Sequence, residues 1–193
     1  VIIEETDRLS LLVNDMLDLS KLESGTKKLE FTTFDISQRL TEIANRYQGI
    51  SEQMGYHLHF TPDAPRMVCC DAGAIERVIC NLINNAIKYT PDGGHIRVTA
   101  GAGADTVWME VCDDGIGIPE KDRDRIFDRF YRVDKARSRE SGGTGLGLSI
   151  AKEIVQRHHG TITLAPHEGP GTTVRLELPI TQSVPETSGR SAQ

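Results

Sequence analysis

Apolar residues in the first two dozen positions recur at intervals of seven. Ile2, Leu9 and Met16 form one series, and Leu12 and Leu19 form a second between them. This a/d seam, flanked by acidic and basic residues, predicts an amphipathic helix over residues 1–24. A narrow stripe of this kind cannot bury itself. It is expected to pair with another helix, from a second copy or from the rest of a parent chain, in preference to packing on its own domain. Glu23-Ser24-Gly25 reads as a helix stop and linker.

After the linker, strand-like and helix-like patterns alternate. Lys28–Thr33 alternates as a strand. Asp35 then caps a helix, with Gln38 completing a capping box and Ile36, Leu40, Ile43, Tyr47 and Ile50 as its apolar stripe; Gly55 stops it. Tyr56–Thr61 and Met67–Cys70 read as strands, and Asp71 caps a helix that runs to Tyr89. Pro91-Asp92-Gly93-Gly94 is a turn before a hairpin of Ile96–Ala100 and Thr106–Cys112. A helix over Leu146–His158 and strands over Thr161–Ala165 and Thr172–Leu178 close the fold. Helices and hairpins about one sheet predict an α/β sandwich with helices on one face. The expected division is a helix remnant over 1–24, a domain over 25–182 and a disordered Ser/Thr/Gly-rich tail over 183–193.

Composition narrows the class of protein. The chain has 193 residues, 38% hydrophobic and 26% charged, and a net charge of -6, which argues against a nucleic-acid binder with a basic surface. No apolar run is long enough to span a membrane. Val1 in place of Met suggests a piece of a longer protein. Cys69, Cys70, Cys80 and Cys112 have apolar neighbours and no C-x-x-C spacing, so they read as small hydrophobes in a reducing cytoplasm.

Chemistry enters with NLINNAIKYT. At about 100° per residue, Ile75, Ile79, Leu82, Ala86 and Tyr89 face the core, Asn81, Asn85 and Lys88 lie along one flank, and Asn84 faces solvent. Asparagine is a poor helix former, so three within five positions imply use. An amide oxygen suits Mg²⁺, and a lysine ammonium suits phosphate. In VCDDGIGIP an apolar strand delivers Asp113, an acceptor for an exocyclic amine, beside Gly115 and Gly117. In GGTGLGLSIAKEIV, Gly143, Gly145 and Gly147 lead into a helix whose free amides favour phosphate. The intervening segment, Pro119–Gly142, reads as a lid. Its residues 120–140 hold eight basic against six acidic side chains, a local +2 that can neutralise a transferring phosphoryl group. Within it, Glu120–Arg125 reads as an exposed helix of alternating charge.

Together these segments resemble the catalytic and ATP-binding domain of bacterial sensor histidine kinases, of the superfamily that includes gyrase B and Hsp90. NLINNAIKYT is similar to the N box of that family, VCDDGIGIP to its G1 box, IFDRFYR to its F box, GGTGLGLSI to its G2 box and GPGTTVRLELP to its G3 box. The resemblance implies an α+β, two-layer Bergerat fold with a mixed, mostly antiparallel sheet. It also implies roles. Asn85 would bind Mg²⁺, with Asn81 assisting, and Lys88 would contact phosphate. Tyr89, Ile118, Leu146 and Leu148 would line the nucleotide pocket. Asp113 would accept from the adenine amine, with Gly115 and Gly117 shaping the pocket. Phe127 and Phe130 would anchor the lid, and Arg132 and Arg137 would approach the γ-phosphate. Gly143, Thr144, Gly145 and Gly147 would cradle phosphates. Gly169, Gly171 and Thr172 match the last box, where Val174 replaces the usual aromatic.

ETDRLSLLVNDMLDLSKLESG resembles the second helix of the dimerisation and histidine-phosphotransfer hairpin of that family. The phosphoacceptor motif, a His followed by an acid and a Pro, is absent. His57 and His59 alternate on a strand, His95 follows a turn, His158 and His159 end a helix, and His167 lies in a loop. None is expected to accept phosphate. The implied activity is transfer of the ATP γ-phosphoryl to a histidine on a separate helix hairpin. Implied partners are that hairpin, a response-regulator receiver domain and a second copy of the parent, itself anchored in the inner membrane with this part in the cytoplasm. The alternatives are an anti-sigma-type serine kinase and a non-catalytic nucleotide-binding regulatory module.

Overall fold

The computed structural model describes residues 2–62, 66–133 and 144–181. Helix α1 (Ile2–Glu23) is followed by β1 (Thr32–Asp35), α2 (Ile36–Met54), β2 (His57–Pro62), β3 (Met67–Cys70) and α3 (Ala72–Tyr89). Then come β4 (His95–Ala102), β5 (Thr106–Asp113), a 3₁₀ segment (Glu120–Arg125), α4 (Gly147–Arg157), β6 (Thr161–Leu164) and β7 (Thr172–Pro179).

Capping sets the helix limits. The Asp35 carboxylate accepts from the Ser37 amide at 2.9 Å, and Gly55 ends α2 with φ 73°. The Asp71 carboxylate accepts from the Ala74 amide at 2.9 Å at the start of α3. The main sheet runs β2-β4-β5-β7-β6; β2 and β4 are parallel and the other pairs antiparallel. β1 and β3 form a separate antiparallel pair. Ile96, Val98 and Ala100 of β4, Val107, Met109 and Val111 of β5, and Leu176 and Leu178 of β7 are buried in one core with α3 and α4. Alternation along the strands therefore assigns one face of the sheet to the helices. The result is a two-layer α/β sandwich with a mixed, mostly antiparallel sheet.

Four details depart from the pattern-based expectations. The first strand begins at Thr32, because upstream the Glu30 amide donates to the Asp71 carboxylate at 2.9 Å and not to a neighbouring strand. In α2, Ser51 is buried and Ile50 is exposed, since four residues past Tyr47 returns closer to the buried stripe than three. In α3, Val78 and Ile83 join the core, whereas Tyr89, in the last turn, is 37% exposed. In the 3₁₀ segment, Asp122 is buried and accepts from the Tyr131 hydroxyl at 2.5 Å.

Helix α1 divides its seam. Leu19 and Leu22 are buried in the core of this same domain, and the Arg157 guanidinium donates to the Leu22 carbonyl at 2.9 Å. Arg77 of α3 pairs with Asp15 at 3.1 Å and Asp18 at 2.5 Å. Leu9 (56%) and Met16 (46%) stay exposed. The C-terminal half of α1 thus packs on its own domain, contrary to the expectation from the heptad alone. Its charged flank finds a guanidinium that the heptad pattern does not reveal.

His158 is fully buried. Its Nε2 accepts from the Asp71 amide at 3.0 Å, so Nδ1 carries the proton toward the Ile154 carbonyl at 2.7 Å. Burial pushes its pKa down, and it is a neutral core side chain. His57, His59 and His95 are exposed on β2 and β4, with His57 and His95 stacked at 4.8 Å.

Candidate functional site

One cavity of about 450 Å³ opens between α3, the ends of β5 and β7, the segment after β5 and the approach to α4. That is the size range of small-molecule sites. From α3 come Asn81, Asn85, Lys88 and Tyr89. The Asn81 amide nitrogen donates to the Gly147 carbonyl at 3.2 Å, tying the helix to the start of α4. Lys88 Nζ lies 5.3 Å from the Tyr89 ring centroid. Asn84 is exposed as expected, yet it borders the cavity and accepts from the Tyr47 hydroxyl at 3.0 Å.

Strand alternation delivers the carboxylate. Asp113 ends the inward row Val107, Met109, Val111 and stands opposite Thr172 in register. An acid thus occupies a position where the pattern places an apolar residue. It is 8% exposed and accepts from the Gly115 amide at 3.0 Å. Burial raises its pKa above the usual aspartate value, while the Gly115 and Thr172 amides oppose the shift. Two glycines make this placement possible. A Cβ on Gly115 would lie 2.4 Å from the Tyr89 carbonyl oxygen, and one on Gly171, at φ 120°, would lie 1.9 Å from the Asp113 carbonyl oxygen. Thr172 and Val174 of β7, with Ile116, Gly117 and Ile118 after β5, line the rest of this end.

At the other end stand Thr144, Gly145, Gly147 and Leu148, with Tyr131, Arg132 and Val133 from the segment before them. Arg132 Nη2 is buried without a hydrogen-bond partner among the described residues. An unsatisfied buried guanidinium nitrogen calls for an anion. Phe130 does not line the cavity. It is 51% exposed, at φ 59°, and its amide donates to the Gly145 carbonyl at 3.0 Å, so its backbone joins the two loops. Phe127 is half-buried against the core, Leu146 is wholly buried within it, and neither lines the cavity. A Cβ on Gly169, at φ 84°, would meet nothing within 4 Å, and this residue does not line the cavity. Arg137 and Gly143 lie outside the described residues.

Contributors from two segments escaped the sequence reading. Ile126 and Tyr131 line the cavity from the lid segment, and α1 supplies Leu11 and Asp15. Asp15 also accepts from the Thr144 hydroxyl at 3.0 Å. No local signal marks Asp15, because only the docking of α1 brings it there.

Comparison with known proteins agrees with this architecture. Over 177 residues the chain is 44% identical to the sensor histidine kinase WalK of Bacillus subtilis (strain 168), covering 91% of this chain and 29% of that protein. The chain thus spans under a third of that relative. Full-length ShkA, solved in complex with AMPPNP, superposes with a TM-score of 0.79 at 26% identity, over 93% of this chain and 37% of that one. Histidine kinase ThkA, solved in complex with the response regulator protein TrrA, superposes with a TM-score of 0.75 at 28% identity, over 93% and 49%. Residues 70–182 match the family described as histidine kinase-, DNA gyrase B- and HSP90-like ATPase, and this chain belongs to that family.

Proposed function

We propose that this chain is the ATP-binding kinase domain of a sensor histidine kinase, which binds ATP with Mg²⁺ and passes the γ-phosphoryl group to a histidine on a separate helix hairpin. The observation that carries the reading is the polarity of one cavity. A buried carboxylate, Asp113, sits at one end, and amide, hydroxyl and guanidinium groups sit at the other. The carboxylate suits the amine of adenine. The Arg132 nitrogen without a partner and the start of α4 suit phosphate.

The donor set also fits a divalent cation. No group of three His, Cys, Asp or Glu side chains able to hold a metal occurs among the described residues. Mg²⁺ needs few protein ligands when a polyphosphate supplies the rest, and the Asn85 amide oxygen, with Asn81 beside it, is a suitable hard donor. When bound, the ion would neutralise phosphate charge. Arg132 and Lys88 would hold and orient the phosphates, and Arg137 would act from the lid.

Among the chain's own histidines, His158 is buried and hydrogen-bonded, and none lies in an acceptor motif. The acceptor is therefore read as external. A response-regulator receiver domain as the final recipient is supported by the ThkA–TrrA complex, and a dimeric, membrane-anchored parent is what the resemblance to sensor histidine kinases implies. No helix among the described residues is long and apolar enough to cross a membrane. Nothing observed favours the serine-kinase or non-catalytic alternatives.

The test mixes the chain with a separately made acceptor hairpin and ATP labelled at the γ-phosphate. Acid-labile, base-stable label on a hairpin histidine is the expected result. Label on serine, or none with nucleotide bound, would refute the reading.

A further inference from the structure

Asp15 is a second carboxylate, besides Asp113, in the wall of this cavity, and it stands beside the start of α4. Its Oδ2 accepts from the Thr144 hydroxyl at 3.0 Å, and its Oδ1 pairs with Arg77 Nη2 at 3.1 Å. Its side chain is only 17% exposed. Arg77 is shared with Asp18, so the trio Asp15, Asp18 and Arg77 carries a net negative charge, which Lys27, 3.9 Å from Asp18, offsets only at its outer edge. The Thr144 hydroxyl in turn accepts from the Leu146 amide at 3.3 Å, immediately before α4. Asp15 therefore holds the hydroxyl that borders the start of α4, where helix amides and the unpartnered Arg132 nitrogen favour phosphate.

This inference rests on the nucleotide reading above. On that reading, with the base at Asp113, the phosphate chain would extend toward Thr144, and its last member would meet the hydroxyl that Asp15 holds. We propose that Asp15 is a specificity-determining residue of the nucleotide site, discriminating between triphosphate and diphosphate. With α1 docked, ADP leaves the Asp15–Thr144 bond intact. ATP carries one more negative charge, and its terminal phosphate competes with Asp15 for Thr144 and repels the carboxylate. Like charges a few ångströms apart in a partly dry site are costly, so ATP binding displaces Asp15 and loosens α1 from the cavity wall, including Leu11.

Calorimetric titration of the 193-residue chain with Mg²⁺–ATP and Mg²⁺–ADP tests this. Asp15→Asn is expected to shift the ratio of ATP to ADP affinity about tenfold toward ATP, the effect of removing one like charge at short range. Asp15→Glu, which keeps the charge, should retain the wild-type ratio. An unchanged ratio in Asp15→Asn, or equal loss of both nucleotides, would overturn the assignment. A second measurement needs no variant. In the wild-type chain, ATP should speed backbone hydrogen exchange over residues 9–17 of α1 and ADP should not; equal effects would overturn the proposal. If neither nucleotide binds the wild-type chain, the functional reading itself fails, visibly and before any variant is compared, and this inference falls with it.

Discussion

The side-chain nitrogen of Asn81 donates to the Gly147 carbonyl at 3.2 Å, joining the middle of α3 to the first turn of α4. With its donor engaged there, the amide oxygen is the atom left to accept from a ligand or its water. Asn85, one turn further on, lines the same cavity. Replacing Asn85 with Ala should abolish the Mg²⁺ dependence of ATP binding, with the fold retained. Titrations with and without Mg²⁺ check this, and a variant that still binds more tightly with the ion would refute the ligand role.

Asp113 is held where an ionised carboxylate is poorly solvated. Asp113→Asn should weaken adenine nucleotides by roughly ten- to a hundredfold, the scale of one hydrogen bond to a charged group, and leave GTP little changed. Because burial raises its folded-state pKa, the folded chain retains a proton that the unfolded chain has lost in the window just above the ordinary aspartate value. Stability contributed at this site therefore falls as pH rises through that window. Urea unfolding across the acid range should show this slope in the wild type and lose it in Asp113→Asn. A variant less stable than wild type at neutral pH would contradict the picture of a strained, functional acid.

His158 has the opposite sign. Burial lowers its folded-state pKa, so the unfolded chain binds the extra proton first as pH falls. Its stabilising contribution is present above the ordinary histidine value and declines below it. His158→Ala should cost about 2–4 kcal/mol at neutral pH, through a cavity and an Asp71 amide left without its acceptor, and should flatten the decline on acidification. Denaturant titrations at neutral and mildly acidic pH would measure both effects.

Leu22 tests whether α1 belongs to this domain. It is among the fully buried side chains of the core. Leu22→Ala should lower stability by about 2–5 kcal/mol, as buried leucines do elsewhere. Leu9→Ala, on the exposed part of the seam, should change it little in the isolated chain. Equal, small effects in thermal unfolding would show that the docked end of α1 contributes nothing to the fold.

Local chemistry alone determined most of the elements. The caps at Asp35 and Asp71, the stop at Gly55 and the limits of β3 and α3 follow from hydrogen-bonding side chains and period, which act within a turn or two of the chain. The same period laid Asn81, Asn85 and Lys88 on one flank of α3, and spacing placed Asp113 at a strand end. Packing between distant segments decided the rest. Asp113 continues the buried row of a strand held between β4 and β7, and it fits there because Gly171 approaches its carbonyl from fifty-eight positions along the chain. Asp15 reaches the cavity only because Leu19 and Leu22 are buried and Arg77 draws two carboxylates inward. A heptad states that a helix needs an apolar partner but not which one. That choice depends on burial and charge contributed from elsewhere in the chain, and it becomes visible only when the chain is folded.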